Sequence, residues 1–208
     1  MSLFRTTRHH AFGFAALTLI TASACTPDPA SSAGRADSVT AGDSMATAMA
    51  DPAAGQPPAS PRDSLAVNIA GADLTVNYGR PSKRGRTLFN GLGDMKWGMV
   101  WRTGANEATA FTTSKPLAFG NATVPAGNYT LFTHLVENGQ WELVINKQTG
   151  QWGTAYDATQ DLVRIPMTVT SNNPVTETLA ITVTPAGQGG ELAVAWDNYK
   201  AVAPFTVK

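Results

Sequence analysis

The chain contains a single cysteine, Cys25, and three histidines, two of which are adjacent near its start. One cysteine excludes an intramolecular disulfide, so the folded part must be stabilised by its apolar core. Because His134 is the only histidine beyond residue 10, a thiolate-rich or histidine-rich metal site is also excluded. The Gly-x-Ser-x-Gly signature of serine hydrolases is missing too. We therefore expect neither a metal ion nor a cofactor.

Charge is scarce and balanced. Lys and Arg together number 15, as do Asp and Glu, so the formal net charge is zero. No overall field favours nucleic acid or an anionic membrane surface, and neither is an expected partner on this ground. Glycine, proline, threonine and alanine are abundant instead. This composition favours a β-rich domain outside the cytoplasm, since Thr and Val fit a pleated surface.

The first 24 residues have the pattern of a secretory signal. Arg5 and Arg8 precede the apolar run 11–20, which is too short to span a membrane permanently and is followed by small residues. Ala22–Cys25 resembles a bacterial lipobox, which implies cleavage before Cys25 and attachment of lipid to it. Thr26, rather than Asp, then favours the outer membrane. The alternative is an ordinary signal peptide with a coincidental cysteine.

Residues 25–60 contain almost no large apolar side chain and are rich in Ala, Ser, Pro, Gly, Thr and Asp. Such a segment cannot bury enough surface to offset the entropy of ordering it. We predict a disordered linker between the lipid-anchored cysteine and a domain at 61–208. This places the domain in the bacterial cell envelope, on the extracytoplasmic side of a membrane.

Residues 61–208 alternate between apolar and polar side chains. Leu65, Val67 and Ile69 alternate with smaller or polar residues, and the pattern repeats through Tyr78, which predicts a hairpin. Asn138-Gly139 predicts a two-residue hairpin turn. Further predicted strands are 100–102, 108–113, 117–119, 122–124, 129–136, 141–146, 161–169, 176–184, 191–196 and 201–207. With no long helical pattern, the class is all-β: a single antiparallel sandwich or jelly-roll-like domain of about ten strands.

Four motifs resemble those of the bacterial family known as domain of unknown function 2911. They are Tyr78–Arg86 (Y-G-R-P-S-K-R-G-R), Trp101–Thr109 (W-R-T-G-A-N-E-A-T), Pro125–Phe132 and a set spread over 146–161. The resemblance extends from about Ser60 to the C-terminus. It implies a secreted or lipid-anchored single β domain and implies no known reaction.

The chemistry-bearing residues cluster in the long connection 80–107 and the loop 146–161. Guanidinium groups suit carboxylate or phosphate, and tryptophan faces suit a sugar or another planar ligand. The candidate ligand-binding residues are Arg80, Lys83, Arg86, Trp101, Arg102, Asn106, Glu107, Asn146, Trp152 and Asp161. They favour a binding or interaction module for an anionic small molecule, a glycan or a protein of the envelope.

Three alternatives remain open. Glu107 with Asp157 or Asp161 could act as the acid and base of a glycan hydrolase, although an ion pair with Arg102 would lower its pKa and weaken it as an acid. The same loop carboxylates with Asn146 could bind Ca²⁺, but their spacing matches no known loop motif. A purely structural envelope protein would instead pair Arg80, Arg86 and Arg102 with Glu107, Asp157 and Asp161, and bury its tryptophans. Trp141 and Trp196, which lie in clean alternations, are predicted core residues.

Overall fold

The computed structural model describes residues 59–90 and 95–208 of the chain. By backbone contacts the chain divides into Met1–Met49 and Ala50–Lys208, and the first unit lies wholly outside the described residues. The predicted signal peptide 1–24, Cys25 and the linker up to residue 58 also lie outside them. In the described ranges, no helix is long and apolar enough to cross a membrane.

The described part of Ala50–Lys208 consists of eleven strands and two short 3₁₀ turns. The turns are Glu137–Gly139 and Ala158–Gln160. The strands, numbered in chain order, are β1 (Arg62–Ile69), β2 (Ala72–Gly79), β3 (Val100–Trp101), β4 (Thr109–Thr113), β5 (Leu117–Phe119), β6 (Ala122–Val124), β7 (Gly127–His134), β8 (Glu142–Asn146), β9 (Asp161–Pro166), β10 (Thr168–Ala186) and β11 (Gly189–Val207).

These strands form two antiparallel sheets. The larger has the order β1-β2-β4-β7-β8-β9, with β3 also paired to β7, and the smaller has the order β10-β11-β5-β6. Apolar side chains from both sheets meet in one buried cluster that includes Val76, Leu131 and Ile181. The predicted all-β sandwich is therefore confirmed.

The β1–β2 hairpin shows how the sequence pattern produces this arrangement. Ile69 pairs with Ala72 across a two-residue turn, and both turn residues, Ala70 and Gly71, have positive φ, at 49° and 77°. Turns of this kind match the twist of the strands that they join. Leu74 and Val76 then face the core, while Thr75 between them faces solvent, as predicted.

Tyr78 joins the two sheets directly. It lies in β2, and its hydroxyl accepts a hydrogen bond of 3.1 Å from the backbone N–H of Ile181 in β10. Burial raises the pKa of Tyr78. The hydroxyl therefore stays neutral at ordinary pH and stabilises the packing of one sheet on the other.

Three details of the predicted strand arrangement are wrong. Asn138-Gly139 does not form a two-residue turn: β7 ends at His134, β8 begins at Glu142, and the 3₁₀ turn Glu137–Gly139 lies between them. The predicted strand 161–169 is interrupted at Met167, because β9 ends at Pro166 in the larger sheet and β10 begins at Thr168 in the smaller one. The predicted strands 191–196 and 201–207 are one strand, β11. It continues past Asp197, whose φ of 53° lies where the pairing with β10 is irregular.

Val76 and Val175 offer a matched test of the core. The Val76 side chain is fully buried at 0% exposure, whereas Val175 in β10 is 49% exposed. We expect Val76→Ala to lower the free energy of unfolding by about 2–3 kcal/mol, from lost burial plus a residual cavity. Val175→Ala should change it by less than about 0.5 kcal/mol, as is usual at exposed sites. Urea unfolding measures both, and equal effects would contradict this core.

Candidate functional site

The Trp101–Thr109 motif forms a corner that interrupts one strand position of the larger sheet. Trp101 in β3 pairs with Thr133 of β7, and Thr109 in β4 pairs with Leu131. Only Phe132 separates these two partners in β7, whereas residues 102–108 separate Trp101 from Thr109. The corner, residues 102–108, is therefore an insertion between β3 and β4 within one strand position of the larger sheet.

A buried hydroxyl network fixes the backbone of the corner. Thr103 is fully buried and has a φ of 51°, which is an unusual conformation for a β-branched residue and costs about 1–3 kcal/mol. Its hydroxyl lies 2.8 Å from that of Thr133, and its carbonyl accepts a 3.0 Å hydrogen bond from the Thr109 hydroxyl. Asn106 also has positive φ, at 64°, which Asn tolerates well. Strain of this kind is typically retained where a loop has a function.

The segment after β2 crosses from one sheet to the other beside this corner. The Pro81 carbonyl accepts a hydrogen bond from Leu179, and the Lys83 N–H donates to Glu177, both in β10. At the start of the crossing, Gly79 packs against the corner so closely that a Cβ there would lie 2.0 Å from the Ala105 carbonyl oxygen. The first two motifs therefore meet backbone to backbone.

A cleft of about 330 Å³ opens between the crossing segment and the corner. Trp101, Trp196 and Met95, each 3% exposed or less, lie at its base. Arg86, Arg102, Asn106 and Ser60 supply its polar groups, and the remaining lining residues are Pro81, Gly104 and Ala105. Within 59–90 and 95–208, the lining includes two guanidinium groups and no carboxylate.

Arg86 and Arg102 are the candidate residues whose side chains reach this cleft with a positive charge. Arg86 is exposed and donates from Nε to the Lys83 carbonyl and from Nη2 to the Ser82 carbonyl, which orients its guanidinium group. The stem of Arg102 packs on Gly153, where a Cβ would lie 2.7 Å from its Cδ. The cleft lining therefore includes two arginines, and backbone carbonyls orient the guanidinium group of Arg86.

Arg80 and Lys83 stabilise the crossing segment. Arg80 lies 3.3 Å from the Asp63 carboxylate and donates to the Leu179 carbonyl. Lys83 lies 2.5 Å from the largely buried carboxylate of Asp197 in β11. Neither residue lines the cleft. Their contacts explain why this part of the basic loop lies against the smaller sheet.

Glu107 is exposed and points to a partner that the sequence did not reveal. Its carboxylate lies 2.9 Å from Arg62 at the start of β1, not beside Arg102 as predicted. A hydrogen bond from its own backbone N–H and the Arg62 guanidinium lower the pKa of Glu107. Glu107 does not line the cleft.

Trp101 also differs from its prediction as a stacking face for a ligand. It is 1% exposed and stacks on Trp196, with ring centroids 5.8 Å apart. Trp141 and Trp196 are buried, which confirms both as core residues. Trp152, by contrast, is 54% exposed and is the candidate tryptophan whose indole is accessible.

Asn146 and Asp161 form a separate structural cluster under the 146–161 loop. The buried Asn146 amide donates to the Asp157 carbonyl and to the Asp161 carboxylate, each at 2.9 Å. The other Asp161 oxygen accepts from Tyr156 at 2.6 Å and from Arg164 at 3.1 Å. Burial, followed by the hydrogen bond to Asp161, raises the pKa of Tyr156 to about 12. These contacts show that the Asn146 and Asp161 side chains stabilise the loop.

The predicted pairing of Arg80, Arg86 and Arg102 with Glu107, Asp157 and Asp161 is largely wrong. Glu107 pairs with Arg62 and Asp161 with Arg164, while Asp157 accepts hydrogen bonds from Thr159. In the described ranges, no group of three His, Cys, Asp or Glu side chains is arranged to hold a metal ion.

Several site residues were not predicted from the sequence. They are Ser60, Arg62, Met95, Ala105, Thr103, Thr109 and Thr133. Thr103 and Thr109 lie within the second motif, and their hydroxyls were the available signal. The partners Arg62 and Thr133 lie far from the corner in the chain, and only the strand order brings them to it.

A match to a family model identifies the protein family to which the chain belongs. The family model described as "Protein of unknown function (DUF2911)" matches residues 60–205, and the chain belongs to this family. The match covers all of the described strands from β1 to β10 and nearly all of β11. No curated protein and no solved structure matches the chain. The resemblance drawn from the four motifs is thus confirmed.

The ion pair of Glu107 gives a testable pH dependence. Because the folded-state pKa of Glu107 is lowered, its contribution to stability is present at neutral pH and is lost as the pH falls through that lowered pKa. Arg62→Gln should raise the pKa of Glu107 towards its ordinary value, measured by NMR titration of side-chain carboxyls.

Asp157 is the control in the same titration. Its pKa is lowered by hydrogen bonds from the Thr159 hydroxyl and backbone N–H, neither of which involves Arg62. The pKa of Asp157 should be the same in both proteins. An unchanged Glu107 titration in the Arg62 variant would show that the pair does not form.

Proposed function

We propose that the protein is a binding module of the cell envelope whose cleft captures an anionic small molecule or the anionic end of a larger one. The supporting observation is the combination of Arg86 and Arg102 with an apolar floor in one concave site. Carboxylates and phosphates bind guanidinium groups through charge-assisted hydrogen bonds. The apolar floor suits a ligand with a planar or hydrocarbon body next to its charge.

The rigid construction of the corner supports this assignment. The Thr103 network and the Gly79–Ala105 contact fix the backbone that carries Arg102 and Asn106. A site whose groups are already oriented loses less conformational entropy on binding. The positive φ of Thr103 is energetically unfavourable, and its presence is explained if the corner is retained for ligand recognition.

The acid–base alternative has less support. A general acid at neutral pH needs a raised pKa, and that of Glu107 is lowered. Glu107 also points to Arg62, outside the cleft lining. If Glu107 were nevertheless the acid or base of a glycan hydrolase, Glu107→Gln would eliminate turnover on a panel of glycans.

Replacement of Arg86 tests the binding proposal. Phenylphosphate and benzoate combine one anionic group with a flat apolar body, and benzyl alcohol is their neutral counterpart. We expect the two anions to bind in preference to the alcohol, and Arg86→Gln to weaken them about tenfold to a hundredfold, as for loss of a charge-assisted hydrogen bond. Isothermal titration calorimetry at low salt measures the affinities.

Arg84→Gln is the matched control. Arg84 is an exposed arginine of the same loop, does not line the cleft, and loses the same charge on substitution. Its replacement should leave binding almost unchanged. Equal losses in the two variants would indicate general electrostatic attraction, and equal binding of the neutral alcohol would contradict an anion site.

We further propose that the domain is anchored to the membrane through lipid on Cys25, with the outer membrane favoured. This proposal is supported by the lipobox-like sequence before Cys25 and by the polar composition of 26–60. Two acyl chains or more provide stable anchoring, whereas one is marginal.

Replacement of Cys25 tests the anchor. In a bacterial host, the native chain should incorporate radiolabelled palmitate and enter the detergent phase on Triton X-114 partitioning. Cys25→Ser should abolish both properties, because the thiol is the attachment point. Thr26→Ser is the control and should retain both. Aqueous partitioning of the native chain without label would favour an ordinary signal peptide.

A further inference from the structure

A second concave region lies on the other side of Arg102, along the loop between β8 and β9. Two adjoining hollows share Thr154 and Tyr156 in their linings, and we call them together the Tyr156 groove. One hollow, of about 480 Å³, is bounded by Gln148, Asp157 and Gln160. The other, of about 420 Å³, is bounded by Gly98, Met99 and Gly153.

Gly153 separates this groove from the cleft. A Cβ at Gly153 would lie 2.7 Å both from Arg102 Cδ and from the Asn106 carbonyl oxygen, so the loop backbone rests directly on the corner. The Gly153 N–H also donates to that carbonyl at 2.9 Å. The two concave regions therefore share one wall and have different linings.

The lining of the Tyr156 groove lacks positive charge. Among the described residues it contains two amides, a threonine hydroxyl, a tyrosine and the Asp157 carboxylate, but no lysine or arginine. An anionic ligand would meet the Asp157 charge, and none of the described lining residues is a cation. Amides both donate and accept hydrogen bonds, which suits a ligand covered with hydroxyl groups.

One aromatic side chain, that of Tyr156, accompanies these polar groups among the described lining residues. The Tyr156 hydroxyl donates to Asp161 and accepts from Arg164, and its ring contacts that of Phe132 edge to face. The Tyr156 ring is thus fixed before any ligand arrives, which reduces the cost of binding.

We propose that the Tyr156 groove is a second binding site, which takes a neutral oligosaccharide. Sugar rings combine apolar C–H faces with dense hydroxyl groups. The Tyr156 ring matches the former, and the side-chain amides of Gln148 and Gln160 match the latter. The occupant is of a different chemical class from that of the cleft, and this site does not depend on Arg86.

Calorimetry with three neutral trisaccharides, chitotriose, cellotriose and maltotriose, tests the proposal on the full domain. We expect at least one to bind with a dissociation constant of about 1 mM or tighter. Gln148→Ala and Gln160→Ala should each weaken that binding about tenfold or more. Both side chains line the groove and are half-buried at the loop surface, so thermal unfolding of the variants should match that of the native protein.

Two control variants distinguish binding in this groove from binding in the cleft and from a general effect of substitution. Val175→Ala removes an exposed side chain from β10, and Arg86→Gln removes a cation of the cleft. Both should bind the trisaccharide normally. The proposal is overturned if none of the three sugars binds, or if binding survives Gln148→Ala and Gln160→Ala. Loss of sugar binding in Arg86→Gln would place the sugar in the cleft instead.

Discussion

The close approach of two backbone segments at Gly79 and Ala105 is the contact on which the site depends. It requires a residue without a side chain at the end of β2, because any Cβ would overlap the Ala105 carbonyl. Gly104 meets the same segment from the corner, where a Cβ would lie 3.3 Å from the Gly79 carbonyl oxygen. With this contact in place, the chain passes to the smaller sheet at Pro81 and Lys83, and Arg86 is brought opposite Arg102. The first two family motifs are therefore two halves of one packed unit.

The charged side chains around this unit differ in their role. Some form ion pairs that hold the structure together, whereas Arg86 lines the cleft. Arg62, Arg80 and Lys83 each have a carboxylate partner. The first pair joins β1 to the corner, and the other two join β1 and β11 to the crossing segment. Arg86 contacts backbone carbonyls in the described ranges, which fix its direction without neutralising it. Ion pairs at partly exposed positions contribute little to stability, typically about 0–1 kcal/mol. Their effect here is to place the corner and the crossing segment rather than to stabilise the whole fold.

The sequence allowed the fold class to be predicted because a half-buried strand leaves a period-two pattern, as in Leu74–Tyr78. It also identified the corner, because Trp101–Thr109 combines many chemically distinct groups. The ion-pair partners could not be predicted: Arg62 reaches Glu107 only because β1, β2 and β4 are neighbours in the sheet. The sequence predicted two strands separated at 197–200. Instead, Asp197 adopts a positive φ of 53° and β11 continues through it. The period-two pattern of a strand indicates whether each residue is buried or exposed. Ion-pair partners and irregularities in strand pairing depend instead on contacts between residues that are distant in sequence.

The pairing of β11 has a consequence for how the protein reaches its folded state. The last residues of the chain complete the smaller sheet, since Val207 pairs with Leu117 of β5 and the Lys208 N–H donates to the Pro116 carbonyl. Because β11 lies between β10 and β5, the smaller sheet cannot be completed until this segment has paired on both sides. Non-local pairing of this kind is formed slowly. Closure of the sandwich is thus expected to be a late step in the folding of this domain.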